Sequence, residues 1–239
     1  SMAGVRPLFA FEAIGVDGRS DPLRSVPEIA DAYIEAMGTV RIDGEIDLLG
    51  YSNGAVVAFE IARKLIEAKR RVGSLVLVDR LCPAVQDSSA VEDIAGVFAD
   101  LIPALGGRHM LDFEAFAAVP EAERGDYLYQ LMRDNGFGIS REQFLATYRF
   151  ALVNDEACRR YRPARIKSAI RTVIVRATAV KNASREDLGW SRYLTRKPVC
   201  IGIDTDHLSI VGKDASARIA SLFHADSSVK AKQSHQSGA

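Results

Sequence analysis

The sequence predicts an α/β fold: a mostly parallel sheet with helices on both faces, interrupted once by an inserted helical lid. Three observations predict it. Short β-rich apolar runs alternate with amphipathic helical stretches near the start of the chain and again towards its end. Between them, over about residues 84–165, every periodic segment is helical. The run "DLLGYSNGAVVAFEIA", residues 47–62, ends an apolar strand at Gly50, turns at Ser52 and restarts as a helix.

Each element follows in order. "RPLFAFEAIG" has a strand's length and β-rich residues, and "VDGRSDPLRS" breaks it with Gly, Asp and Pro. "SVPEIADAYIEAM" reads as a helix capped by Ser25, with Pro27 in its first turn and Ile29, Tyr33 and Met37 on one face. "EIDLLGY" is a short strand, and "GAVVAFEIARKLIEAK" a helix with Val56, Phe59, Ile61 and Leu65 to bury. "VGSLVLVD" is a fully buried strand ending in the carboxylate of Asp79. Strands joined through helices pair in parallel. The insert comprises "SAVEDIAGVFADLIPALGG", "DYLYQLMRDNG" and "SREQFLATYRFALVNDEACRRY". Its apolar residues, among them Val97, Leu101, Phe113, Phe116 and Phe144, exceed what one layer over a sheet needs, so the insert is expected to be mobile and to shape a pocket. The alternation resumes with "IRTVIVRATA" and "PVCIGID" and closes with the helix "DASARIASLF". The tail, about 226–239, is polar and expected to be disordered. Residues 1–239 are read as a single domain.

Composition excludes several classes of function. Apolar residues make up 48% and charged residues 26%, ordinary for a soluble enzyme. Lys+Arg and Asp+Glu balance at 31 each, which gives no reason to expect nucleic acid or a membrane surface as partner. Cys82, Cys158 and Cys200 are an odd count at no metal-like spacing, which fits a reducing compartment without disulfides. No apolar run approaches membrane-spanning length, and no signal peptide is visible. The chain is therefore read as cytoplasmic, with neither metal nor cofactor expected.

The chemistry concentrates at G-Y-S-N-G, residues 50–54. A nucleophile at a strand-to-helix elbow sits on strained backbone, and Gly50 and Gly54 on either side of Tyr51, Ser52 and Asn53 let strand and helix approach. The Ser52 hydroxyl then projects above the carboxyl edge of the sheet. The N–H of Asn53 points to where an oxyanion would form at the helix N-terminus. The plainer reading is a tight strand–helix turn with a capping serine. A catalytic serine needs a base, and the base an orienting acid, in the chain order Ser, acid, His. Of four histidines, His109 lies in the insert, and His224 and His235 follow the last helix. His207 follows the last apolar strand, where a loop at the sheet's carboxyl edge belongs. Candidate acids are Asp79, Asp187, Asp204 and Asp206. Asp79 ends a buried strand, Asp187 is a loop alternative, and Asp206 is too close to His207 in sequence for the usual geometry.

With these residues in place, the chain resembles the thioesterase domains that end nonribosomal peptide and polyketide synthases, and the related thioesterase of animal fatty acid synthase. "LLGYSNGAVVAFEIARKL" is similar to the family's elbow and "RVGSLVLVD" to the strand that ends in its acid. "RYRP", "LGWSRYL" and "DHLSIV" are further landmarks in the same order. The resemblance implies the α/β-hydrolase fold, with Ser52 as nucleophile, Asp79 as acid and His207 as base. Its mobile lid falls on the insert. It implies a substrate acyl chain on the phosphopantetheine of an acyl or peptidyl carrier protein, released by hydrolysis or cyclisation. Members open on a strand and a His/Pro/Gly-rich loop that supplies a second oxyanion donor, whereas "RPLFAFEAIGVDG" resembles a later strand. A domain lacking that loop is expected to lose an oxyanion hydrogen bond, about 10²–10³-fold in rate. Carrier proteins of such systems are acidic, so "RRYRPARIK", with Arg160 and Arg165, is a candidate docking stretch. The alternative for it is a solvated helix end whose arginines favour the dipole. A free-standing carboxylesterase and a catalytically silent carrier-docking module are the competing functional readings.

Overall fold

The computed structural model describes residues 7–40, 44–85, 111–179 and 185–223. They form two compact units, one drawn from 7–10, 40–80 and 164–223, the other from 11–39 and 81–163.

The first unit carries the sheet. Strand β1 (Ile46–Tyr51) leads through helix α2 (Asn53–Glu67) to β2 (Val72–Val78). Strands β3 (Arg171–Ala177) and β4 (Val199–Ile203) follow, then helix α6 (Lys213–Ser221). The strands are parallel in the order β1-β2-β3-β4, with Gly50 opposite Leu77 and Val78 opposite Val175. β2 is an apolar run without polar alternation because successive residues, Leu75, Val76, Leu77 and Val78, are all buried, so both of its faces are covered. On one face Val76, Val78, Val173 and Val175 pack with Ile203, Ile210, Ile219 and Phe223. Helix α2 packs along β1 and β2 and buries the four residues expected, Val56, Phe59, Ile61 and Leu65. The buried Glu60 in α2 receives both Nε and a terminal nitrogen of Arg63 at 2.7 Å. That bidentate pairing holds the guanidinium in its charged form, its pKa raised chiefly by the Glu60 bond.

The second unit is helical: α1 (Val26–Gly38), α3 (Phe113–Ala118), α4 (Arg124–Asp134) and α5 (Arg141–Arg160). Caps explain where they begin. The oxygens of Ser25, Asp112 and Ser140 each accept main-chain N–H groups of the first turns of α1, α3 and α5. Leu111, Phe116, Leu128, Met132 and Phe144 form the core, with Leu131 and Tyr148 packed against it. Phe113 stays 48% exposed. The lid expectation for residues 86–110, including Val97 and Leu101, and the expectation for the tail 226–239 lie outside the described residues, as do His109, His224 and His235.

One expected strand is absent. Residues 7–13 take no regular structure, and Leu8 and Phe9 are 66% and 53% exposed. Apolar β-formers become a strand only against a hydrogen-bonding partner, and this run has no ladder partner among the described residues. Among the described residues, no helix is long and apolar enough to cross a membrane, and no cluster of three or more His, Cys, Asp or Glu could hold a metal.

Candidate active site

Parallel strands end at one edge, and that edge gathers the site. Ser52 follows β1, Asp79 follows β2 and His207 follows β4. Their main chains continue the ladder by one step: Ser52 N–H donates to Val78 O at 2.9 Å and Asp79 N–H to Val175 O at 2.8 Å. Ser52 adopts φ 52°, ψ −130°, a conformation an L-residue holds only under constraint. The constraint is the close crossing of strand and helix. A Cβ on Gly50 would lie 2.1 Å from the Gly54 carbonyl oxygen. Gly50 therefore permits the elbow. Gly54 does not share that role, since a Cβ there would meet nothing within 4 Å.

The side chains converge from far apart in sequence. His207 Nε2 lies 3.2 Å from Ser52 Oγ, and His207 Nδ1 lies 2.7 Å from Asp79 Oδ2. An ionised carboxylate only accepts, so Nδ1 carries the proton and Nε2 offers its lone pair to the Ser52 hydroxyl. The other Asp79 oxygen accepts the Ala177 N–H at 2.8 Å, which fixes the carboxylate's rotation. The segment after Asp79 is held too. Trp190, fully buried, donates its indole N–H to Arg80 O at 2.8 Å while its ring packs on Phe59 at 4.9 Å. Asn53 opens α2, at the positive end of the helix dipole.

Two of the other candidate acids, Asp206 and Asp187, are engaged elsewhere. Asp206 Oδ1 accepts the N–H groups of Leu208 and Ser209, and Oδ2 accepts the Ser209 hydroxyl, bonds that hold its carboxyl below the ordinary range. Asp206 thus caps the turn that follows His207. Burial pushes the Asp187 carboxyl up, and hydrogen bonds from Ser191 and the Gly189 N–H more than offset it. Asp187 organises its own turn, accepting Gly189 N–H at 3.0 Å. In the basic stretch, Arg160 at the end of α5 pairs with Glu156, and Arg165 donates to Leu194 O at 3.4 Å.

Sequence reasoning missed one member of this arrangement, the Ala177 N–H, and named Tyr51 only as an elbow residue, without its contacts to His207. The Ala177 N–H is a main-chain donor that no side-chain pattern signals. The Tyr51 hydroxyl donates to the His207 carbonyl at 2.7 Å, and the Tyr51 ring lies against the imidazole at 4.9 Å. Its place in the elbow beside Ser52 was the one available signal.

A strained serine at a strand–helix elbow, hydrogen-bonded to a histidine that a carboxylate orients, on a parallel sheet, describes an α/β-hydrolase. A family model described as Thioesterase domain matches residues 3–226, and the chain belongs to that family of hydrolases. Similarity extends to the non-reducing polyketide synthase ntnG of a Nectria species, 35% identical over 101 residues, 42% of this chain and 5% of that protein. It extends also to the non-reducing polyketide synthase cla3 of Cladosporium cladosporioides, 24% identical over 213 residues, 81% of this chain and 10% of that one. The fold is similar to that of RedJ, a thioesterase from the prodiginine biosynthetic pathway of Streptomyces coelicolor. The TM-score is 0.56 and the identity 20%, over 87% of this chain and 73% of that one. The chain spans 3–10% of the length of the first curated relatives it matches. These likenesses favour neither a carboxylesterase nor a silent docking module.

Proposed function

We propose that this domain is a chain-releasing thioesterase working through an acyl-enzyme on Ser52. The carrying observation is the continuous hydrogen-bond chain from Asp79 through His207 to Ser52. The substrate is an acyl, peptidyl or polyketide chain on the phosphopantetheine thiol of a carrier protein, as the kinship with polyketide and nonribosomal peptide synthases suggests. His207 Nε2 takes the proton as Ser52 Oγ attacks the thioester carbonyl. Asp79 holds the imidazole in the required tautomer and offsets the imidazolium charge. The Asn53 N–H stabilises the tetrahedral oxyanion. Collapse breaks the C–S bond, and the departing thiolate takes the proton from His207. Water, or a nucleophile within the chain, then attacks the ester with His207 again as base; the acyl C–O bond to Ser52 breaks, and Ser52 Oγ takes the proton back from His207 as the chain leaves.

The test presents an acyl chain on a phosphopantetheinylated carrier protein and, separately, as a simple ester. Release from the carrier by the native domain, lost in Ser52→Ala, is the expected result. Hydrolysis of the simple ester with no release from the carrier would overturn the reading.

A further inference from the structure

The bond between Tyr51 and His207 has a geometry that packing alone does not require. Tyr51 is the last residue of β1, and its side chain packs against the core group containing Val78 and Ile210. Two separate contacts then reach His207. The ring stacks on the imidazole with planes 28° apart, and the hydroxyl bonds the main-chain carbonyl of the same residue. Asp206 fixes the loop from the following side through its bonds to Leu208 and Ser209. We infer that Tyr51 is a positioning residue: it sets the height and tilt of the His207 ring relative to Ser52 from the residue next to the nucleophile itself.

The geometry gives the reason such a clamp matters. The Nε2–Oγ separation is 3.2 Å, at the long end of the hydrogen-bond range, so a small outward drift of the loop breaks the contact. His207 sits on a loop, with its side chain 34% exposed, whereas Tyr51 ends β1 and Ser52 follows it directly, its N–H continuing the ladder to Val78. A ring and a hydroxyl rising from that strand tie the base to the same frame as the nucleophile. Burial, followed by the charges of Asp79 and Asp206, pushes the Tyr51 phenol up to about 12, so it remains a donor across the working pH range.

The inference rests on the proposed Ser52–His207 chemistry, and the experiment separates the two. Native domain, Tyr51→Phe and Tyr51→Leu are treated with a fluorophosphonate. Labelling is mapped by mass, and its limiting rate is measured apart from its half-saturation. Thermal midpoints and the low-field Nδ1–H proton resonance of His207 are recorded alongside. Phe keeps the stack and loses one neutral hydrogen bond, so its limiting rate falls about tenfold. Leu loses both contacts, and its rate falls further. Half-saturation stays constant, and in Tyr51→Phe the midpoint falls by no more than about 2–6 °C while the Nδ1–H signal broadens. Native labelling in Tyr51→Phe, or a loss that appears only as a lowered midpoint, overturns the positioning role. Failure of the native domain to label at Ser52 overturns the chemistry on which that role depends.

Discussion

Replacing Asp79 by asparagine leaves the size of the side chain unchanged and removes one acceptor and one charge. Both native partners of the carboxylate are donors: the Ala177 N–H at 2.8 Å and His207 Nδ1 at 2.7 Å. An amide offers one oxygen. The Ala177 N–H is main chain and cannot change character, so it takes that oxygen, and the amide NH₂ turns towards Nδ1. His207 is then driven to the tautomer with its proton on Nε2, which cannot accept from Ser52. Turning the amide back costs an unmatched donor pair, about 1–3 kcal/mol, or roughly 5–150-fold in rate. Loss of the carboxylate opposite a developing imidazolium adds up to about 4 kcal/mol at an effective dielectric constant near 20. The His207 side chain is 34% exposed and the Asp79 side chain 15%, so solvent screening reduces that figure. The expected total is about 10³–10⁴-fold. The assay is single-turnover acylation by a small acyl thioester, read by stopped flow or quenched intact mass, with Asp187→Asn as comparator. Asp187 accepts only within its own turn, so its variant keeps near-native rates. A loss below tenfold in Asp79→Asn, or a larger loss in Asp187→Asn, refutes the assignment of the acid.

The elbow makes two opposite glycine predictions: Gly50→Ala drives a Cβ into the Gly54 carbonyl and costs about 2–4 kcal/mol in chemical denaturation, whereas Gly54→Ala enters open space and stabilises by up to about 1 kcal/mol. Ser52→Gly relieves the strained backbone where Ser52→Ala keeps it, so its thermal midpoint stands roughly 2–6 °C above that of the alanine variant. Equal midpoints would mean that the conformation costs nothing. Arg160→Glu raises the apparent KM for carrier-bound substrate, most at low salt, and leaves a small free thioester unaffected. Equal effects on both substrates would reduce Arg160, 79% exposed and paired with Glu156, to a helix-end residue. Arg165 is the poorer probe, because its guanidinium also bonds the Leu194 carbonyl.

Much of this was legible because local pattern and global topology agree. Buried parallel strands announce themselves as unbroken apolar runs, as "LVLV" does, and the helices of the second unit begin where Ser25 and Ser140 can cap them. Ser52, Asp79 and His207 could be chosen together because parallel strands end at one edge, which reduces a search over distant pairs to the residues just after strands. What stayed hidden depends on partners that sequence does not name. The apolar run at 7–13 has a strand's composition and lacks the ladder that would make it one. Gly50 and Gly54 look alike in the motif, yet only Gly50 faces backbone. The Tyr51 hydroxyl meets a carbonyl 156 positions away, through main chain whose location no side-chain periodicity encodes.

Intact-protein mass shows whether the acyl chain is carried covalently on Ser52. The domain is mixed with a slowly hydrolysed acyl thioester on a phosphopantetheinylated carrier, quenched in acid, weighed and digested. A mass increase equal to one acyl group is expected, mapped to the peptide containing Ser52, absent in Ser52→Ala and slow in Asp79→Asn. An adduct on another residue, or release of the acyl chain with no adduct at any time during turnover, would rule out Ser52 as the nucleophile.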